Sequence, residues 1–306
     1  MNFLSELRHP TTWYFKLAAA LLALGFFIIL ATGAVGSYLV YHIVAPVKAT
    51  DSVDLAHLPG SPQDFSYDVP GLGMREGWFF GGLKSAPTIL LCPSYAAARE
   101  EFLPLATGLQ AHGYNVLLFD FAARGPKATY GTLGFREIGE LRAAIAAIAA
   151  RPDVDQSSFG VWGTNLGAYA AVGAAEVDPR VRALAVESVY DRPQDLLNLL
   201  LTRYGVTPLP FLKSFSEKSF LWFNYSYRNT PPLSERAARL GNARKLFLEA
   251  RDAPALVGPT HHLFLVSPNP KEEALLAQGN YVGMIDEEKR TYENRIISFF
   301  LLNLPP

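Results

Sequence analysis

From Leu17 to Tyr41 the chain reads Leu-Ala-Ala-Ala-Leu-Leu-Ala-Leu-Gly-Phe-Phe-Ile-Ile-Leu-Ala-Thr-Gly-Ala-Val-Gly-Ser-Tyr-Leu-Val-Tyr, with no charged residue. At about 1.5 Å per residue, such a helix crosses a hydrocarbon layer of about 30 Å with room for tilt. A run this long without a polar face does not suit a helix packed on one side of a soluble core. It is also longer than the apolar region of a cleavable signal peptide. Residues 1–44 are therefore expected to form a short N-terminus and an uncleaved, single-pass anchor, with the lipid bilayer as partner through residues 17–41. Trp13, Tyr14, Tyr38 and Tyr41 stand near its ends, where interfacial aromatics gather. Arg8 and Lys16 precede the run and Lys48 closely follows it. That bias places the N-terminus in the cytoplasm and the remainder outside it. Residues 45–64, with Pro46, Pro59, Gly60 and Pro62, read as an extended linker.

The rest of the chain is organised around Ser158-Phe-Gly-Val-Trp-Gly-Thr-Asn-Leu-Gly167. This is an apolar strand entering a small-residue turn and then a helix. The signature G-x-S-x-G presents a nucleophilic serine on such a turn, and here Asn165 occupies the serine's place. Gly163 and Gly167 let strand and helix approach closely. Asparagine tolerates the positive φ of an elbow better than most residues. A carboxamide has no ionisable proton, however, so a general base cannot activate it. Further short apolar runs lie at Pro87–Pro93, Asn115–Gly125, Val181–Val189 and Lys245–Ala250, with His262–Ser267 read as the last strand. Their alternation with helical patterns predicts βαβ units and a mostly parallel sheet covered by helices on both faces.

Three phrases around the elbow carry a resemblance: Leu-Leu-Phe-Asp-Phe-Ala-Ala-Arg-Gly (117–125), Ala-Arg-Pro-Asp-Val-Asp (150–155) and Asp-Pro-Arg-Val-Arg-Ala-Leu-Ala-Val-Glu-Ser (178–188). Residues 65–306 resemble the α/β-hydrolase superfamily, in its single-domain esterase, lipase and aminopeptidase-like branch. The resemblance implies a Ser-His-Asp triad. Its nucleophile position falls on Asn165 and its acid position on Asp252. Its histidine position falls on Asn280, in the loop from Ser267 to Gly283. Two of three triad positions have lost their chemistry. The resemblance further implies an oxyanion hole after the strand ending at Leu91, where this chain has Cys92-Pro93-Ser94. The amides of Ser94 and Leu166 would be its two donors. An insert between Val189 and Lys245, spanning about 190–240, is expected to be a helical cap, apolar enough to suit a greasy ligand or the membrane surface.

Of the six histidines, His9 and His42 flank the apolar run, His57 lies in the linker and His112 at a helix-to-strand junction. His261 and His262 would begin the last strand, at the edge away from the site, since sites in such sheets form at the carboxyl ends. None is placed to act as the base. The lone Cys92 excludes an intramolecular disulfide and reads as a buried small hydrophobe. With a net charge of −1 and no basic stripe, a nucleic-acid partner is not expected. No metal or cofactor motif is read. The leading expectation is a membrane-anchored hydrolase-fold protein without serine-hydrolase chemistry, binding an apolar small molecule or a protein partner. An active acyl or peptide hydrolase using other residues and a membrane-surface scaffold stand as alternatives.

Overall fold

The computed structural model describes residues 13–47, 59–124 and 127–306. Arg8, His9, Lys48 and His57 lie outside the described residues, and with them two of the three charges behind the expected orientation. The elements are α1 (Trp13–Val44), β1 (Gln63–Val69), β2 (Gly73–Phe80), β3 (Thr88–Cys92), α2 (Leu103–Ala111), β4 (Asn115–Phe119), α3 (Glu137–Ile148), β5 (Phe159–Thr164), α4 (Leu166–Ala175) and β6 (Val181–Glu187), followed by α5 (Pro193–Arg203), α6 (Pro210–Phe223), α7 (Leu233–Ala237), β7 (Arg244–Ala250), α8 (Pro254–Val266), β8 (Lys271–Leu276) and α9 (Asp286–Asn303).

Two compact units emerge. The larger comprises Val44–Leu196 and Asn229–Pro306, and the smaller the residues up to Ile43 with Leu197–Arg228. In the larger, one eight-stranded sheet has the order β1-β2-β4-β3-β5-β6-β7-β8. β1 and β2 are antiparallel to their neighbours, and every pairing from β4 to β8 is parallel. The central strands β3, β4 and β5 are buried at every residue, as parallel strands covered on both faces must be. The β1–β2 hairpin buries Phe65, Tyr67 and Val69 and exposes the residues between them. The core beneath α2 and α9 gathers Phe102, Trp162, Tyr281, Tyr292 and Phe300.

One expectation is corrected. His262–Ser267 is not a strand: His261 to Val266 form the second half of α8. The buried residues Leu256, Thr260 and Leu263 recur at helical spacing, and Pro254 opens the helix where its missing N–H costs nothing. The last strand is Lys271–Leu276, an edge strand half open to solvent. The two histidines therefore lie on a helix flanking the sheet and do not begin a strand.

The smaller unit consists of α1, most of α5, α6 and the following turn. Its 18-residue apolar window has a mean hydropathy of 2.4 and is unburied by the protein, so α1 is not the core helix of a soluble domain. Gly33 and Gly36 of α1 face Phe215 and Ser216 of α6, and the hydroxyls of Ser37 and Ser219 are hydrogen-bonded at 2.9 Å. α1 is a candidate membrane span by length and composition.

Candidate active site

Strand β5 delivers Thr164 to a turn in which Asn165 has φ 51° and ψ −107°. Few residues with a side chain occupy that region, and it marks a strained turn. Two backbone contacts require the turn's glycines. A methyl on Gly163 would press on Gly167, and one on Gly167 would overlap the Cys92 carbonyl. Asn165 is half-buried. Its N–H donates to the Glu187 carbonyl at 2.9 Å, and its own carbonyl accepts from Tyr169 N–H in the first turn of α4 at 3.0 Å. The small helix face of α4, Leu166 to Ala175, is buried throughout.

The loops after β7 and β8 meet at Asp252. Its carboxylate accepts from the amides of Gly279 at 2.9 Å and Asn280 at 3.4 Å. The structure thus joins the acid position to the loop carrying Asn280. It also shortens that loop, because the true last strand ends at Leu276 and Gly279 follows it closely. A cleft of about 280 Å³ opens beside this loop, lined by Leu276, Met284, Tyr292 and Arg295 among others.

Between the elbow and that loop stands Glu187, at the carboxyl end of β6 and 1% exposed. Tyr292 Oη donates to its Oε2 at 2.5 Å, and Trp162 Nε1 donates to Tyr292 Oη at 3.1 Å. The carboxyl group packs against Gly279, where a methyl would overlap it. Burial, assisted by the nearby Asp252 carboxylate, pushes its pKa up to about 8, so at neutral pH the group is mostly a neutral acid. Glu187 backs both halves of the site: its carbonyl holds Asn165 and its side chain fills the space behind Gly279. In the sequence Glu187 stands only within the phrase from Asp178 to Ser188. An acidic residue ending an otherwise apolar strand was the signal available.

Strand β3 closes the site from the other side. Ser94 opens a tight turn in which Ala97 N–H donates to its carbonyl at 3.2 Å, and the preceding carbonyls of Cys92 and Pro93 lie against Gly167. The β3 and β4 loops are tied by Arg99. Its N–H donates to Asp120 Oδ1 at 3.0 Å, its guanidinium lies 3.5 Å from Asp120 Oδ2, and it stacks 4.3 Å over Trp78. Burial raises Asp120 to about 6 despite this partner. Cys92 is fully buried, and desolvation holds its thiol protonated.

Among the described residues, no histidine stands in the loops at the carboxyl ends of β5, β6, β7 or β8. His112 caps α2 through the Gly108 carbonyl at 2.8 Å. His261 Nδ1 lies 2.7 Å from Glu273 and 3.2 Å from Glu249. These three side chains, from α8, β8 and β7, are the group among the described residues able to hold a metal ion. Glu273 raises the His261 pKa, which favours the imidazolium. The sheet's carboxyl-end loops thus present an elbow with a carboxamide, an oriented aspartate and a buried acid, with no imidazole in those loops among the described residues.

Comparison with known proteins agrees on the fold. The Pyrococcus furiosus esterase Pf2001 superposes with a TM-score of 0.66 at 20% identity, covering 86% of this chain and 98% of that one. The α/β hydrolase GrgF from Penicillium sp. superposes at 0.59 with 16% identity, over 79% of this chain and 99% of its own. By sequence, the polyketide transferase grgF is 30% identical over 157 residues, 47% of this chain and 52% of that protein. The thiohydrolase aneE of Aspergillus aculeatus is 28% identical over 120 residues, 38% of this chain and 37% of that one. The chain spans about half the length, or less, of these curated relatives, and no family model matches it. The protein has the α/β-hydrolase fold, with an eight-stranded, mostly parallel sheet. Its neighbours of known structure include esterases and other α/β hydrolases.

Proposed function

We propose that this is a membrane-anchored α/β-hydrolase-fold protein that binds an acyl-type ligand, or a partner presenting one, without hydrolysing it. Asn165 on the elbow is the observation that carries the reading. It keeps the strained backbone of a nucleophile turn while supplying a side chain that no base can activate. The relatives' names (esterase, thiohydrolase, polyketide transferase) supply the ligand class, because each denotes work on an acyl group. Binding would outlive loss of the nucleophile, since the first amides of a helix such as α4 lack intrahelical partners and favour a carbonyl or anion. The long apolar α1 supports the anchor.

The test is a set of substitutions. The purified full-length chain should hydrolyse short-chain activated esters no faster than a denatured control and should not label with a serine-directed fluorophosphonate. Asn165→Ser alone should remain folded and nearly inactive for want of a base. Adding Asn280→His places an imidazole beside Asp252. The double variant should then gain about 10²- to 10⁴-fold over either single one, the range of a working acid–base pair, and lose it again with Asp252→Ala. Stoichiometric labelling of any serine in the unaltered chain would overturn the reading in favour of an active hydrolase with other catalytic residues.

A further inference from the structure

We infer that α6, in the insert between β6 and β7, is itself embedded in the lipid bilayer beside α1, in the leaflet crossed by the C-terminal half of α1. The inference rests on reading α1 as a span. It starts from the pairing within the smaller unit. Gly33 meets Phe215, Gly36 meets Phe215 and Ser216, and Ser37 bonds Ser219. Ala31, Thr32 and Val35 form, with Leu209 to Leu212, an apolar groove of about 400 Å³. The matched positions rise together along both helices, so α6 runs in the same direction as α1, with its N-terminal end nearest the middle of the apolar run.

Height along α1 decides what surrounds α6. The uncharged run from Leu17 to Tyr41 is centred on Ile29. The groove at 31–35 therefore lies about 3–9 Å from the midplane and Ser37 about 12 Å, inside a hydrocarbon half-layer of about 15 Å. Tilting α1 only lowers these heights. A segment at that depth meets acyl chains wherever protein does not cover it, and α6 is composed for that contact. Phe211 is 78% exposed and Trp222 73% exposed, three helical turns apart on one side. At the outer end Trp222 and Tyr225 stand where amphipathic rings settle at a membrane interface. Lys218 is one turn from that end, close enough for its stem to carry the ammonium to the headgroups. Lys213 and Glu217, 3.9 Å apart and both partly exposed, are the charged pair that α6 carries at this depth. The contacts between the helices set glycines of α1 against Phe215 and Ser216 and pair two hydroxyls; small residues and interhelical hydrogen bonds are usual means of helix association in lipid. The pairing also explains why α1 would be retained: removing it would strip α6 of its packing partner.

The test uses the full-length chain in phosphatidylcholine vesicles. Cysteine is introduced singly at Phe27, Phe211, Trp222 and Val177 and labelled with a nitroxide; the buried Cys92 does not compete. Collision with oxygen, which enters lipid, is compared with collision with a nickel chelate, which stays in water. The oxygen-to-nickel ratio should be highest at Phe27, several-fold above Val177 at Phe211, and intermediate at Trp222. A ratio at Phe211 equal to that at Val177, with Phe27 still in lipid, overturns the inference and leaves the anchor standing. Phe27 in water sinks both. A Phe211 label shielded from both agents means that protein, such as a second copy, covers this face, and that also overturns it.

Discussion

At the scale of single residues, Glu187 has the most to say about how the site is held. It is enclosed by Tyr292, Gly279 and the end of β6, and its pKa stands at about 8 against an ordinary value of 4.5. A carboxyl group with a raised folded-state pKa keeps its proton longer in the native protein than in the unfolded chain. Between those two values the native state binds more protons, and stability falls as pH rises. Below the unfolded value the effect vanishes, and above the folded value it levels off. Glu187→Gln cannot ionise and can still accept the Tyr292 hydroxyl. Its advantage over the unaltered chain should therefore grow from about pH 4.5 to about pH 8, by at most about 1.4 kcal/mol per pH unit, and then hold constant. Urea midpoints across that range check it. Asp120 and Glu140 are also buried acids, raised to about 6 and about 7, so only the difference between the two proteins isolates Glu187. An advantage that did not change with pH would mean that Glu187 is ionised in the native state.

At the scale of elements, legibility followed burial. β3, β4 and β5 sit in the middle of the sheet, where both faces are covered, and their continuous apolar runs announce them. β8 sits at the edge, so Lys271, Glu272 and Glu273 face water for part of their surface and the run reads as a loop. Its role passed in the sequence to His262–Ser267, an apolar stretch that suits a strand as well as the buried stripe of a helix. Period alone does not separate the two at that length. The α1–α6 pairing was equally hidden, because nothing in either stretch states which helix it meets. That pairing has a measurable consequence. An added Cβ at Gly36 lies 3.1 Å from the Ser216 amide nitrogen and 3.2 Å from Phe215 Cβ, whereas one at Gly25 meets nothing within 4 Å. Gly36→Leu should cost about 1–3 kcal/mol through overpacking, seen as a lowered Tm in detergent micelles. Gly25→Leu should leave Tm unchanged, and equal effects at the two positions would deny the packing.

For the whole molecule, the anchor is the feature most open to direct test. The full-length chain should stay with membranes through alkaline carbonate extraction, and a reporter at its C-terminus should be active only outside the cytoplasm. Release by carbonate would remove the anchor from the account, while reporter activity on the cytoplasmic side would reverse the orientation and leave the span in place. The sequence by itself determined the class of fold, the long apolar helix and the carboxamide at the elbow. Each of these depends on local residue type and spacing, which are complete in the chain as written. Tertiary structure alone decided that Asp252 holds the backbone of Gly279 and Asn280, that Glu187 is buried behind them with its pKa raised, and that α6 lies against α1. These depend on which distant segments are brought together and how far water is excluded between them. A carboxyl group's charge follows from its surroundings, and those surroundings come from residues far apart in the chain.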